Sequence, residues 1–340
     1  MEATADVQLD RLDAANLSDA DAATLASITN AAAAVDSPHL SPVPPRQVLL
    51  RLRHGWDGFP TDHVFVVRST GGAVAGFVEV GYPHWDNLHL AGLDLVVHPD
   101  ARGDDAVADA LLGKAIDACR TDSRLSLVSD AWRDSWLAGY WERHGWPVAS
   151  HAAQRRIVVS EVDRPRLDQL LADAEGSSPT YDVEVLPSPT PDGWVQDMIE
   201  VRRAMNDAPL DDLNIDDEEW SAERLVASDA ALASRELRVH RLVARRRSDG
   251  VLGGFTAVVV EEARPTVGFQ EDTAVVGTHR GHRLGLRLKA AMLQRLAALE
   301  PQLQTIDTWN AESNTHMLAV NDAIGCVVVG RAIEVQTTLA

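Results

Sequence analysis

A basic loop with two glycines separates a predicted strand from a predicted helix in the second half of the chain. The strand reads EDTAVV (271–276), the loop reads THRGHR (278–283), and the helix begins with LGLRLK (284–289). The first N–H groups of a helix have no intrahelical partner and carry a partial positive charge, which suits them to bind phosphate. Gly285 lacks a Cβ, so an anion can approach the backbone closely there. The spacing predicts an anion site at this turn, and an ordinary helix start is the alternative.

The same order of predicted elements occurs in both halves of the 340-residue sequence. Each half begins with a strand and a helix and continues with two alternating apolar runs joined by a short turn, at 70–72 and at 248–250. Such turns indicate β-hairpins. A strand, a helix and another strand follow in each half. Two consecutive copies of one unit account for the length better than one large domain does.

The strand order predicts the architecture of each unit. A strand–helix–strand crossover is right-handed, so 271–276 and QTIDTWN (304–310) are expected to lie parallel, whereas the hairpins are antiparallel. We therefore predict an α/β protein of two tandem domains, each with a mixed, mostly antiparallel sheet flanked by helices. The domains are expected at 1–163 and 181–340. A Gly-Ser-Ser-Pro break places a linker at 164–180.

Composition limits the classes of partner. The formal net charge is −20, and nucleic-acid binding normally needs a cationic surface, so no nucleic-acid partner is expected. The acidity either favours cationic partners such as amines or only maintains solubility. Cys119 and Cys326 lie in different halves, so neither a disulfide framework nor a metal site is predicted. No signal peptide or apolar span is visible, so we expect a cytoplasmic protein without a membrane partner.

Two motifs in the second half resemble those of the GNAT superfamily of acyl-CoA N-acyltransferases. The loop from Arg280 to Gly285 is similar to its Arg/Gln-x-x-Gly-x-Gly/Ala motif. The segment NTHMLAVNDAIGC, from Asn314, resembles its Asn-x-x-Ala-x-x-x-Tyr-x-x-x-Gly-Phe segment. With LDLVVHPDARG in the first half, the resemblance covers nearly the whole chain as a tandem pair, a layout also found in mycothiol synthase.

The resemblance implies an acyl-CoA site, with acetyl-CoA as co-substrate, in the second half. Arg283 stands where the superfamily usually has its first glycine. In the first half Asp105 and Val107 replace both glycines, and Asp104 adds a second carboxylate, so no CoA is expected there. Arg280, Arg283 and Arg287 are expected to add positive charge. The cofactor-binding residues that it implies are Val275, Val276, Arg280, Gly281, His282, Arg283, Leu284, Gly285, Asn310 and Asn314.

The resemblance also implies catalytic residues. The superfamily often places a glutamate on the strand before the loop, where Glu271 stands, and Asp272 is the second candidate for the general base. Side chains alternate along a strand, so only one of them is expected to face the cleft. Asn321 occupies the position of the usual general acid, a tyrosine, and an asparagine cannot supply a proton. Water or another residue then protonates the thiolate, or the thiolate leaves unassisted, since a thiol has a pKa of about 8.5.

The expected function is transfer of an acetyl or other acyl group from acyl-CoA to the amine of a small molecule, by a monomer or homodimer. Two alternatives stay open. One is a catalytically inactive protein that binds acyl-CoA for regulation. The other is an aminoacyl-tRNA-dependent transferase, against which the acidic charge and the retained loop both argue.

Overall fold

The computed structural model describes residues 8–55 and 57–339, which form two compact units. The units do not follow a single cut in the sequence. Two segments from late in the chain, 210–217 and those from Gly330 onward, belong to the first unit, and residues 153–163 belong to the second. The division therefore differs from the predicted domains, 1–163 and 181–340, at these segments. The predicted linker is mostly a 14-residue helix of the second unit.

The first unit has a sheet between two helical layers. Its elements are β1 (Gln8–Leu12), α1 (Asp19–Asp36), α2 (Pro45–His54), β2 (His63–Arg68), β3 (Val74–Gly81), β4 (Leu90–Val97), α3 (Ala106–Thr121), β5 (Ser126–Trp132), α4 (Trp136–Arg143), the start of β6 (Val148–Val158) and the residues from Gly330 in β12 (Val327–Thr338). The strand order is β1-β2-β3-β4-β5-β12. Among the described residues, β4 and β5 pair in parallel, and the pairs β1–β2, β2–β3, β3–β4 and β5–β12 are antiparallel.

Alternation along the strands places apolar residues on both faces of this sheet. Val78 and Val80 of β3 pack on α3, while Phe77 packs on α1 and α2. Ile333 and Val335 of β12 belong to the α3-side core. The unit thus buries both faces, and residues close to the end of the chain complete one of them.

The second unit repeats this layout. Its elements are the rest of β6, α5 (Arg164–Ser177), β7 (Tyr181–Val185), α6 (Val195–Arg203), α7 (Ala222–Ser234), β8 (Leu237–Arg246), β9 (Leu252–Glu261), β10 (Val267–Val275), α8 (Leu284–Leu299), β11 (Thr305–Ala311), α9 (Thr315–Ala323) and the start of β12. The strand order is β6-β11-β10-β9-β8-β7. The predicted parallel pair, β10 with β11, is confirmed, as are the antiparallel hairpins β2–β3 and β8–β9.

Residues 181–340 expressed alone are expected not to fold cooperatively, because they lack β6 and α5. Leu167 of α5 is buried in the core that also holds α8. Arg156 of β6 donates to Asp307, at 2.6 and 2.8 Å, and Asp307 is almost fully buried. Removing one partner of a buried ion pair costs about 3–5 kcal/mol, a large share of the about 5–15 kcal/mol that stabilises a typical protein.

The matched control is residues 153–340, which differ only by containing those two elements. Thermal unfolding followed by circular dichroism should show a cooperative transition for 153–340 and none for 181–340. A cooperative transition of similar midpoint in both fragments would contradict the prediction.

Candidate functional site

β10 and β11 of the second unit pair over a short length and then separate. The parallel pairing joins Val267–Phe269 to Thr305–Asp307. Beyond it the strands run on to Val275 and Ala311 with no pairing between them in the described chain. The result is a wedge between two strands, and their free N–H and C=O groups are available to an extended ligand. We call this gap the β10–β11 wedge.

A one-residue bulge on β10 lies at the closed end of the wedge. Gln270 pairs with Val258 of β9, but the next pair joins Thr273 to Thr256, so Glu271 and Asp272 together face one residue of β9. A bulge of this kind breaks the strict alternation of side chains. The expectation that alternation would choose between Glu271 and Asp272 therefore does not apply here.

Asp272 and Glu271 have different electrostatic surroundings. Asp272 forms an ion pair with Arg202 of α6, whose guanidinium lies 4.7 Å from the Trp220 ring centroid. The Glu271 carboxylate has no hydrogen-bond partner among the described residues. Burial, with the nearby Asp272 charge, raises its pKa to about 7, against the opposing influence of Arg235 and Arg202. A carboxyl group with a pKa close to the working pH is suited to general-base catalysis, which favours Glu271 over Asp272.

The open end of the wedge leads to the free start of α8. Arg287 makes the first backbone hydrogen bond of the helix, to the Arg283 carbonyl at 3.0 Å. None of the described residues accepts from the N–H groups of residues 281–286. Gly281 (φ +85°) and Arg283 (φ +55°) both take the left-handed conformation, which glycine adopts without strain. Arg283 thus keeps the backbone shape that the usual glycine would give, with an exposed side chain.

Gly285 is not required by the packing of the protein. A Cβ built there would meet only Val275 Cγ2, at an ordinary 3.8 Å, and Gly285 has no positive φ. The neighbouring Leu284 is buried in the core, so it can offer a ligand only its backbone N–H. Because the fold tolerates a side chain at 285, the glycine is better explained by a ligand that approaches the helix start.

Two of the three arginines expected to add charge at the loop are committed elsewhere. Arg280 donates to the Val275 carbonyl at 3.2 Å and pairs with Asp207. Arg287 is buried and donates to the Ser178 and Tyr181 carbonyls, at 3.1 and 3.0 Å, so its predicted role at the loop is wrong.

Arg102 is the first unit's counterpart of Arg280. It bonds the Val97 carbonyl at 3.0 Å and pairs with Asp36. Because both units share this arrangement, we infer that the arginine stabilises the turn between the strand and the loop. Arg283 is then the exposed arginine at the helix start whose charge is available to a ligand.

The remaining predicted loop residues divide between surface and interior. Val275 and Val276 are half-buried at the end of β10, and His282 is exposed, with its ring 5.6 Å from that of Tyr181. His279 is buried, and its ring nitrogen Nδ1 shares a hydrogen bond with the Tyr181 hydroxyl at 2.9 Å. Burial lowers its pKa. His279 therefore supports the loop from beneath and is not available to a ligand.

Asn314 and Asn321 of the second motif lie at the start of α9 and within it, and Asn310 lies on β11 at the wedge. Asn314 caps α9, since its Oδ1 accepts from the Met317 N–H at 3.2 Å. Asn310, on β11, accepts from Asn321 Nδ2 at 2.7 Å. Asn321 is fully buried, and its Oδ1 has no partner among the described residues. Asn310 and Asn314 thus use one side-chain oxygen each within the protein and keep their amide N–H groups for a ligand.

A lysine that sequence reasoning missed lies at the closed end of the wedge. Lys289 is one turn after Gly285 on α8 and lines a small cavity with Gln270 of β10, Thr308 of β11 and Cys326. Burial lowers its pKa to about 8. A lysine in a helix is usually solvated, so nothing in its position along the sequence indicated this burial.

No family model and no curated protein matches this sequence, but solved structures match the fold over almost the whole chain. The tandem GNAT protein from the clavulanic acid biosynthesis pathway superposes with a TM-score of 0.77 at 23% identity, covering 98% of both chains. The chain has the tandem GNAT fold. A GCN5-related N-acetyltransferase from Sphaerobacter thermophilus is also similar, with a TM-score of 0.70 at 15% identity, covering 98% of this chain and 95% of that one.

The loops before α3 and α8 differ in the side chains that lie at the helix start. In the first unit Asp105 takes the left-handed conformation of Arg283 (φ +57°), and Arg143 of α4 pairs with its carboxylate at 2.8 Å. The Ala106 N–H, at the start of α3, donates to Asp104 Oδ1 at 3.3 Å. In this loop the Asp104 carboxylate thus accepts from an N–H group at the helix start, and the absence of CoA binding here stays a prediction.

The described chain has neither a membrane-spanning helix nor a group of three or more potential metal ligands. None of its helices combines the length and the apolar character needed to cross a membrane. Within residues 8–55 and 57–339, no group of His, Cys, Asp or Glu side chains could hold a metal ion.

Proposed function

We propose that the second GNAT unit transfers an acyl group, with acetyl as the first candidate, from acyl-CoA to the amine of a small molecule. The observation that carries the proposal is the set of N–H groups of residues 281–286, free at the open end of the β10–β11 wedge. Such a helix start suits a pyrophosphate, and the wedge suits the extended pantetheine arm. The other GNAT unit has filled the corresponding place with its own carboxylates.

In this proposal each part of acyl-CoA has its own region of the site. The pyrophosphate binds the amides of residues 281–286, with the exposed Arg283 guanidinium beside it. The pantetheine lies along the free edges of β10 and β11. The side-chain amides of Asn310, on β11, and of Asn314, at the start of α9, are expected to donate to it. The thioester then reaches the closed end of the wedge, near the bulge that holds Glu271.

Glu271 and the cofactor helix act from opposite faces of the sheet. Gln270 lines the cavity next to α8, whereas Glu271 interacts with Arg202 of α6 and Arg235 at the end of α7. The amine is expected to enter from the α6–α7 side. Glu271 takes a proton from the ammonium and passes it to solvent, and the neutral nitrogen attacks the thioester carbonyl. The nitrogen then loses a second proton to Glu271 as the C–S bond breaks, which gives an amide and a CoA thiolate.

Lys289 is our candidate for the group that stabilises the departing thiolate. Its pKa of about 8 is close to that of a thiol, so it can supply a proton as sulfur leaves. Asn321, in the usual tyrosine position, cannot do so. Lys289→Met keeps the length and apolar contacts of the side chain but removes the proton.

Lys289→Met is expected to lower kcat by about 10- to 100-fold, the lower part of the range for acid–base catalysis, with little change in acetyl-CoA affinity. Turnover should be followed by release of free thiol, and affinity by calorimetry. Lys114, exposed on α3 of the first unit, provides the control Lys114→Met, which should behave as wild type. A wild-type kcat for Lys289→Met would remove Lys289 from the mechanism.

Turnover of acetyl-CoA with a panel of primary amines tests the whole proposal. Free thiol should appear only when acceptor is present, and mass spectrometry should find the matching amide. A binding protein without turnover is the second candidate, because Asn321 replaces the proton-donating tyrosine. Saturable acetyl-CoA binding without thiol release across acyl donors and amines would support that candidate and reject the enzyme.

A further inference from the structure

Carboxylates of the first unit form a row across four neighbouring strands. Glu79 of β3 pairs directly with Asp94 of β4, and Asp130 of β5 pairs with Glu334 of β12. The β4–β5 pairing ends one residue before Asp94 and Asp130, so these two are neighbours as well. Directly paired residues project from the same face, and strands lie about 4.8 Å apart, so the row spans roughly 15 Å. We call these residues the acidic row.

The acidic row carries negative charge that the protein does not neutralise. Arg51 of α2 pairs with Glu79, with an Nη2–Oε1 distance of 2.7 Å. No ion pair to a described residue satisfies Asp94, Asp130 or Glu334. Surrounding protein atoms and the Glu79 charge raise the pKa of Asp94 to about 7, against the opposing Arg51 charge, although its side chain stays open to solvent. Surrounding protein atoms also raise the pKa of the solvent-accessible Asp130 and of the half-buried Glu334. The acidic row is therefore suited to bind a cationic group.

The acidic row borders open space. Gly81 and Gly92 pair with each other on β3 and β4, two residues along from Glu79 and Asp94. A Cβ at Gly81 would meet nothing within 4 Å, and one at Gly92 would meet only the Gly81 carbonyl oxygen at 3.8 Å. Asp94 and Asp130 remain accessible to solvent. A ligand can reach the carboxylates without moving the backbone.

An unsatisfied buried amide adds a second, independent sign of a ligand. Gln47 is only 3% exposed, yet neither its Nε2 nor its Oε1 has a partner among the described residues. It precedes Arg51 by one turn of α2, so both side chains leave the same face of the helix, the face from which Arg51 reaches Glu79. A buried amide without hydrogen bonds destabilises the fold, and a hydrogen-bonding ligand beside the row would remove that cost.

The shape of the row identifies the class of ligand. The pairing spaces the four carboxylates along neighbouring strands rather than around one point. An ammonium group donates up to three hydrogen bonds, and several ammonium groups on one flexible chain can match carboxylates about 5 Å apart. We propose that the first unit binds a linear diamine or polyamine along Asp94, Asp130 and Glu334. The proposal is independent of the acyl transfer proposed for the second unit.

Calorimetry on the full chain tests the proposal, with spermidine as the probe and butylamine as a single-charge comparison. Wild type should bind spermidine saturably and at least tenfold more tightly than butylamine, with affinity falling as salt is added. The double variant Asp94→Asn, Asp130→Asn should bind spermidine at least tenfold more weakly. Both substitutions remove repulsion, so the variant should fold. Glu334→Gln, tested separately, should also weaken binding.

Two controls separate this site from general charge and from the second unit. Asp100→Asn removes an acid of the same unit whose side chain is 93% exposed, and it should bind spermidine as wild type does. Asp182→Asn removes an acid of the second unit whose side chain is 49% exposed, and it should also bind spermidine as wild type does. The proposal is overturned if wild type shows no saturable binding, if the row variants bind normally, or if either control loses as much affinity as they do.

Discussion

Gly285→Asp is expected to abolish acyl-CoA binding. Wild type should bind one acetyl-CoA per chain, in the second unit, and the variant none at concentrations that saturate wild type. The new carboxylate would occupy the helix start where the pyrophosphate binds. Two unit charges 4 Å apart at an effective dielectric of 20 interact by about 4 kcal/mol, a loss of about 10³-fold in affinity. Calorimetric titration measures both stoichiometry and affinity.

The fold should survive this substitution. A Cβ at 285 meets only Val275 Cγ2 at 3.8 Å, and an acidic residue in the first turn of a helix is favourable. The matched control is Gly113→Asp, at an exposed position of α3 with nothing within 4 Å of a built Cβ, which should bind normally. A stoichiometry of two, or normal binding by Gly285→Asp, would refute the single-site assignment.

Glu271→Gln is expected to lower kcat at pH 7 by about 10²–10⁴-fold, the usual contribution of a general base. The substitution keeps the shape of the side chain and removes the proton acceptor. In wild type, the carboxylate form is lost as the pH falls through about 7, so turnover should fall on the acid side. The variant should recover part of its loss as the pH rises towards the pKa of the amine, because free amine is then present without a base.

Affinity and stability measurements separate a catalytic from a structural effect of Glu271→Gln. Acetyl-CoA affinity should change little. Because the folded-state pKa lies above the ordinary value, ionisation of Glu271 costs stability as the pH rises from about 4.5 to 7. The variant should therefore be more stable than wild type at pH 8 and similar at pH 4. If Asp272→Asn is inactive while Glu271→Gln stays within a few-fold of wild type, the base is the other carboxylate.

Local pattern was sufficient to predict the elements around the loop. The EDTAVV strand and the helix from Leu284 are present, and they depend on short-range periodicity. The pattern could not show that β10 begins at Val267, four residues before the predicted strand, because that start depends on pairing with β11. The exchange of segments between the units was missed for the same reason, since contacts distant in sequence decide it.

At the site, the sequence indicated which residue types are present more readily than whether each side chain is buried or exposed. Gly285 and Arg283 lie at the start of α8, as their positions in the sequence indicated, and the anion site there stays a prediction. Arg287 and Lys289 belong to the same helix, and a helical pattern alone does not say which cation turns inward. Both are buried, Arg287 satisfied by the Ser178 and Tyr181 carbonyls and Lys289 beside a cavity. Tertiary packing determines which of these side chains are buried, and the local sequence does not indicate it.

The return of β12 to the first unit has a consequence for synthesis on the ribosome. Ala332–Thr338 pair with β5 and bring Ile333 and Val335 into the core of that unit. A nascent chain that has already made β1 to β5 must wait for these residues, with β5 as an open strand edge in the meantime. Open edges pair readily with other chains. Two chains made side by side on one messenger could therefore trade their last strands and emerge as an interlocked pair.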